Sequence, residues 1–287
     1  MAISGDGSSG NPWVVHDWDE FVSIMPEGTH VVGGGCINLA NDIQAPSENV
    51  NLDMKYLGAL DGQGYAIIGL ICTSGNCLQA TNFNTPNKTI NNIKFKNIHM
   101  DGGNVFLYTD LGNYKSVTLR NVSFSGMFES GMLTNDSSGS YTYNYTADGV
   151  GINIEVYNSD FRLMGLKSSR SMSGAFANVN GIIRYIGCSP SASLFDKSSG
   201  RKTLKKSTLR IEIPSDGAKL DMGATLDNCC IYGSGAGIII DSATGVSVVE
   251  NTLPLETSLT NVYSVTTSEI KNRQILHDYY HFPIGVN

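Results

Sequence analysis

The sequence predicts an all-β fold, a right-handed parallel β-helix with a short N-terminal capping helix. Three observations predict it. Only 16% of the 287 residues are charged while Gly alone takes 32 positions. Few charges with abundant Gly, Asn, Ser and Thr disfavour long surface helices and suit short strands joined by turns. Short apolar alternations recur from residue 30 onward, each ended by Asn or Gly. The recurring unit is two short strands with an Asn bend between them, which stacked parallel coils require and an ordinary β-sandwich does not.

Residues 1–29 read as an opening loop and a capping helix. Gly5 to Pro12 is turn chemistry throughout, and Trp13-Val14-Val15 has the makings of a strand. Asp17 can N-cap a helix in which Trp18, Phe21, Val22 and Met25 fall at i, i+3, i+4 and i+7, with Pro26 and Gly28 as stops. A stack of coils exposes strand edges at its end, and a small amphipathic helix is a usual cover.

Residues 30–252 read as the β-helix. Asn92 to Met100 places Ile93, Phe95, Ile98 and Met100 inward, with a kink at Asn97. Val117 to Phe124 repeats the pattern with Val117, Leu119, Val122 and Phe124, and Ile152 to Phe161 and Thr225 to Ile231 are looser copies. Asn97 and Asn121 stand 24 residues apart, about one coil. Loop excursions are expected at 137–145 and 189–207. Residues 253–287 read as a C-terminal strand and aromatic tail, His277-Asp-Tyr-Tyr-His-Phe-Pro283, suited to a subunit contact.

The order Gly5-Asp-Gly-Ser-Ser-Gly-Asn-Pro-Trp-Val-Val15, helix, Ile37-Asn-Leu-Ala-Asn-Asp-Ile43, Leu60-Asp-Gly-Gln-Gly-Tyr-Ala-Ile-Ile-Gly-Leu70 resembles the opening of adhesin-like β-helix proteins of bacteria and phages of the GLUG-repeat type. The likeness covers about residues 4 to 126; the Gly-Leu-x-Gly repeats themselves are absent. The resemblance implies a solenoid used for surface binding or virion structure.

The formal net charge of −7 and a pI near 5.2 argue against nucleic-acid binding, which needs a basic face to displace counterions from phosphate. The cluster Arg201, Lys202, Lys205, Lys206 and Arg210 reads as a solvated loop. No export signal is visible at Met1 to Asp6, and no apolar run is long enough to insert in a membrane. The six cysteines read as reduced core residues rather than a disulfide framework. Neither Cys72 with Cys77 nor Cys229 with Cys230 has zinc-ligand spacing, and the sequence implies no metal or other cofactor. His277 and His281 would suit a metal only on a helix, which Tyr279, Tyr280 and Pro283 argue against.

Parallel β-helices often act on polysaccharide, which makes the carboxylates candidate general acids and bases. Glycoside hydrolysis wants two of them roughly 5–10 Å apart, one with a raised pKa. The fallback candidates are Asp216, Asp221, Asp227 and Asp241, for a glycoside hydrolase or polysaccharide lyase. Aspartates beside Gly217 and Ser242 more often cap turns. Tyr141, Tyr143 and Tyr145 alternate on a strand and are a candidate stacking face for sugar rings or a partner protein; their bland role is to cover the solenoid's own flank.

With no catalytic string in view, the sequence points to a non-enzymatic virion structural or decoration protein, a head fibre or tail-associated adhesin. Its partners would be other virion proteins and host cell-surface glycan, and its state a homo-oligomer, a trimer. The alternatives are a tailspike-type polysaccharide depolymerase and a bacterial surface adhesin. The location expected is the virion, or else the extracellular space or cell surface.

Overall fold

The structure is a computed structural model that describes residues 3–24, 35–54, 57–80, 87–101, 103–109, 115–129, 131–135, 143–166, 172–197, 200–214, 217–235 and 237–282. The chain winds into a parallel β-helix. A nine-stranded first sheet runs from Trp13–Val15 to Thr225–Asp227, and an 11-stranded second sheet from Ile43–Gln44 to Val262–Val265. A five-stranded third sheet, Leu52–Asp53 to Arg162–Leu166, closes the early coils; three strands from Lys219–Asp221 to Leu255–Glu256 close the late ones. Consecutive coils pair in parallel, as Lys115–Arg120 does with both Asn87–Asn91 and Tyr143–Asp148.

Alternation along each strand sets the inside. Leu60, Ile90, Leu119, Ala147, Phe176, Leu204 and Leu226 follow one another in register on the inner face of the first sheet, all buried. An aromatic column runs through the centre. Phe95 stacks on Phe124 at 5.5 Å and 9°, and Phe106 meets both edge-on. Each such pair adds about 0.5–1.5 kcal/mol beyond the area it buries.

The bend between first and second sheets is a column of left-handed residues. Asn92, Asn121, Gly149, Asn178, Lys206 and Asn228 all have φ between 48° and 67°. The Nδ2 of Asn121 donates to Asn92 Oδ1 at 3.1 Å, across a separation of 29 residues. The coil is therefore longer than the 24 residues expected, because the neighbour of Asn121 is Asn92. Asn97 makes a separate bulge, where the pairing of Phe95 and Ile98 with the next coil shifts by one residue. Coil length is also not constant. Bonds joining neighbouring coils span 24 residues early, 28 in the middle and 18 late.

Helices stand at both ends. In α1 (Trp18–Ile24), Asp17 Oδ1 accepts from Glu20 N at 2.9 Å, the expected N-cap, and Phe21 is driven into the core. Met25, Pro26 and Gly28 lie outside the described residues. The C-terminal region differs from the expected strand and tail. After Val262–Val265 it forms α2 (Thr267–Lys271) and α3 (Arg273–Tyr280). Thr266 and Glu269 make a capping box at α2, and Asn272 caps α3. These helices cover the outer face of the second sheet, so the strand Ser247–Glu250 is buried along its whole length. No helix among the described residues is long and apolar enough to cross a membrane.

The segment expected as an excursion at 189–207 is largely built into the stack. Leu194 and Phe195 are fully buried, Phe195 bridges Met164, and Lys202–Lys205 is a strand of the first sheet. Of the other excursion, residues 143–145 begin the strand Tyr143–Asp148, and the remainder lies outside the described residues.

Candidate functional site

The outer face of the first sheet is a regular polar surface. Thr89, Thr118, Thr146, Ala175, Thr203 and Thr225 succeed one another in register, one per coil. Two residues upstream, Ser116, Asn144 and Ser173 form a second row. Arg201 extends it, for its carbonyl accepts from Gly174 N at 2.9 Å. The alternation that sends Val117, Phe176 and Leu204 inward leaves these hydroxyls and amides facing out. A groove of about 580 Å³ runs over Asn144, Thr146, Ser173, Arg201, Thr203 and Lys205.

A second hollow, about 290 Å³, adjoins it and shares Arg201. Asp196, Lys197, Thr225, Asp241 and Ser242 line it. Here two of the candidate carboxylates converge. Lys197 Nζ is paired with Asp221 and, at 2.6 Å, with Asp241. The two carboxylates, Asp221 first, hold the Lys197 ammonium above the ordinary lysine range. Asp221 also caps its own turn, accepting from Gly223 N at 2.9 Å. The third, Asp227, is engaged by Lys205 Nζ at 3.2 Å and by Asn228 Nδ2 at 2.9 Å. Asp216 lies outside the described residues. Lys197 fills the space between Asp221 and Asp241 that a glycosidic oxygen or an attacking water would need.

The expected tyrosine face is not assembled. Tyr145 is 3% exposed and belongs to the core, in register with inward-facing Val117. Tyr141 lies outside the described residues, and Tyr143 is placed only as the first residue of its strand, paired with Lys115 and Met172. The basic cluster is not a solvated loop either. Lys202 is 4% exposed, pointing inward beside Asp196; burial lowers its pKa, and the Asp196 charge opposes that. Arg201, just before the strand Lys202–Lys205, and Lys205 within it are exposed, while Arg210 sits on the second sheet, where Glu212 accepts from it at 2.7 Å.

His277 lies on α3 and His281 caps it in a left-handed conformation, so the helix doubted from Tyr279, Tyr280 and Pro283 does form. His277 Nδ1 lies 3.0 Å from Asp278 Oδ1. The six cysteines are free, and Cys72, Cys77, Cys229 and Cys230 are buried.

Sequence reasoning missed the hydroxyl rows and Lys197. The rows leave a signal, a polar–apolar–Thr triplet at Ser116-Val-Thr118 and Asn144-Tyr-Thr146. Lys197 leaves none, because its partners lie 24 and 44 positions further on. The chain matches no family model, no curated protein and no solved structure.

Proposed function

We propose that this protein is a non-enzymatic binding module, a structural or decoration protein of a phage particle of the head-fibre or tail-associated type. In this reading it holds an extended host-surface glycan along the outer face of the first sheet. The observation that carries it is the double row of Ser, Thr and Asn side chains in register beside Arg201 and Lys205. Successive coils set these groups about 4.8 Å apart on a backbone held by parallel pairing. An extended sugar chain therefore meets donors and acceptors ordered before it arrives, which keeps the entropic cost of binding low. The face is set by backbone pairing, so it needs no induced change. Assembly as a homotrimer on the virion, in contact with other virion proteins, belongs to the same proposal.

The convergence of Asp221 and Asp241 favours a second reading, a tailspike-type depolymerase. The lysine between them supports the binding role instead, since it is ion-paired to both carboxylates and occupies the gap.

One experiment separates the readings. The purified chain is incubated with a panel of bacterial surface polysaccharides while binding and new reducing ends are followed together. The expected result is saturable binding without release, lost in Ala175→Trp, which plants a ring in the middle of the exposed threonine row. Release of reducing ends that disappears in Asp221→Asn or Asp241→Asn overturns the non-enzymatic reading. Sedimentation of the free chain as a monomer at micromolar concentration removes the trimer.

A further inference from the structure

A cavity of about 290 Å³ lies elsewhere, between the outer face of the second sheet and the terminal helices. Its floor is Thr208, Cys230 and Tyr232, and its roof Ile270, Leu276 and Phe282. The floor exists because the outward row of the second sheet changes character along the stack. In register it runs Lys94, Ser123, Gly151, Asn180, then Thr208, Cys230 and Val248. Helices α2 and α3 cover the apolar end of that row without filling the space above Cys230.

Three features describe an occupant. The volume is about twice the ~150 Å³ of a dry cavity that accepts one benzene ring. Thr208 Oγ1 is buried without a hydrogen-bond partner in a residue that lines the cavity. The rim carries Lys271 and Arg273. Its one carboxylate, Glu250, is committed to the protein, accepting from Gly233 N at 3.0 Å and from the Thr267 hydroxyl.

We infer that this cavity is a binding site for a small molecule with a flat or acyl apolar body, about the size of two fused rings, and an anionic head. The body lies between Cys230 and the Ile270–Leu276–Phe282 roof. The head faces Lys271 and Arg273 at the rim. The site shares no residue with the groove on the first sheet, so it stands or falls independently of glycan binding.

The probe is 2-naphthoate, titrated against the full chain by its own fluorescence, with 2-naphthylmethylammonium as the charge-reversed control. Saturable one-to-one binding of naphthoate, at least about tenfold tighter than the ammonium, is expected. The exposed rim variant Lys271→Glu should abolish that preference with an unchanged thermal midpoint. Cys230→Met, which extends into the cavity, should displace naphthoate; if it does not fold, the rim variant alone decides. Absence of saturation, equal binding of both probes, or unchanged binding in the rim variant overturns the assignment.

Discussion

Asn121 shows what a single residue does in this stack. It holds φ at 52°, and its side chain bonds to Asn92 one coil away. An Ala there meets the left-handed penalty of about 1–2 kcal/mol and also loses the ladder bond. Gly loses the bond alone. Urea denaturation should therefore show Asn121→Ala less stable by about 2–3 kcal/mol and Asn121→Gly by about 1 kcal/mol. Equal losses would mean that the backbone conformation is not what Asn supplies. That Asn makes the bends was legible in the sequence, but which Asn pairs with which was not. Asn92 and Asn97 both take positive φ, five residues apart, and only the register tells the corner from the bulge. Tyr145 failed for the same reason. Alternation says only that it lies on one face of its strand, and pairing with Val117 says which face that is.

At the level of elements, the second sheet tolerates its own close packing only through glycine. A Cβ on Gly181, at φ 153°, would lie 1.8 Å from Ile152 O; one on Gly126, at φ 136°, would lie 2.1 Å from Ile98 O. Gly181→Ala must push two coils apart and is expected to lower stability by about 3 kcal/mol or more, read as a fall in thermal midpoint. The terminal helices depend on a different device. Thr266 Oγ1 accepts from Glu269 N at 3.2 Å while Glu269 returns the bond to Thr266 N at 2.7 Å. Thr266→Ala should cost about 1 kcal/mol. Because α2 and α3 sit at the end of the stack, hydrogen exchange should quicken at residues 269–282 and stay unchanged in the coils. Thr266-Thr-Ser-Glu269 is a capping-box pattern open to any reader of the sequence. It is easily passed over because the bulky Tyr279-Tyr280 and the following Pro283 argue against a helix when taken alone.

For the whole molecule the clearest solution behaviour is alkaline destabilisation. Burial pushes the Cys229 thiol to about 11 and the Cys230 thiol to about 12, from an ordinary 9.0. Both thiols hold their protons more tightly folded than unfolded. Their contribution is complete below pH 9 and is lost as pH rises through the folded values. Buried Lys202, with its pKa lowered, acts in the opposite sense as pH approaches the lysine range. Two thiols outweigh one amine. Chemical denaturation should show stability falling by on the order of 2 kcal/mol between pH 9 and pH 11. The double variant Cys229→Ala, Cys230→Ala should reduce that slope without abolishing it, because burial also raises the Tyr185 phenol and the Cys36 and Cys188 thiols.

Across this chain the sequence by itself determined the architecture. Period-two burial, Asn at the bends, Gly where coils crowd, and Asp17 before an apolar stripe are local rules, and each is met within a few residues of where it is written. Tertiary structure decided everything that depends on which coil lies against which. The coil length varies between 18 and 29 residues along the stack, so no fixed period read from the sequence can place Thr118 beside Thr146, Lys197 between Asp221 and Asp241, or Cys230 beneath α3. A parallel coil brings together residues one full turn apart. Those pairings carry the hydroxyl face and the second cavity, and they exist only once the stack has chosen its register.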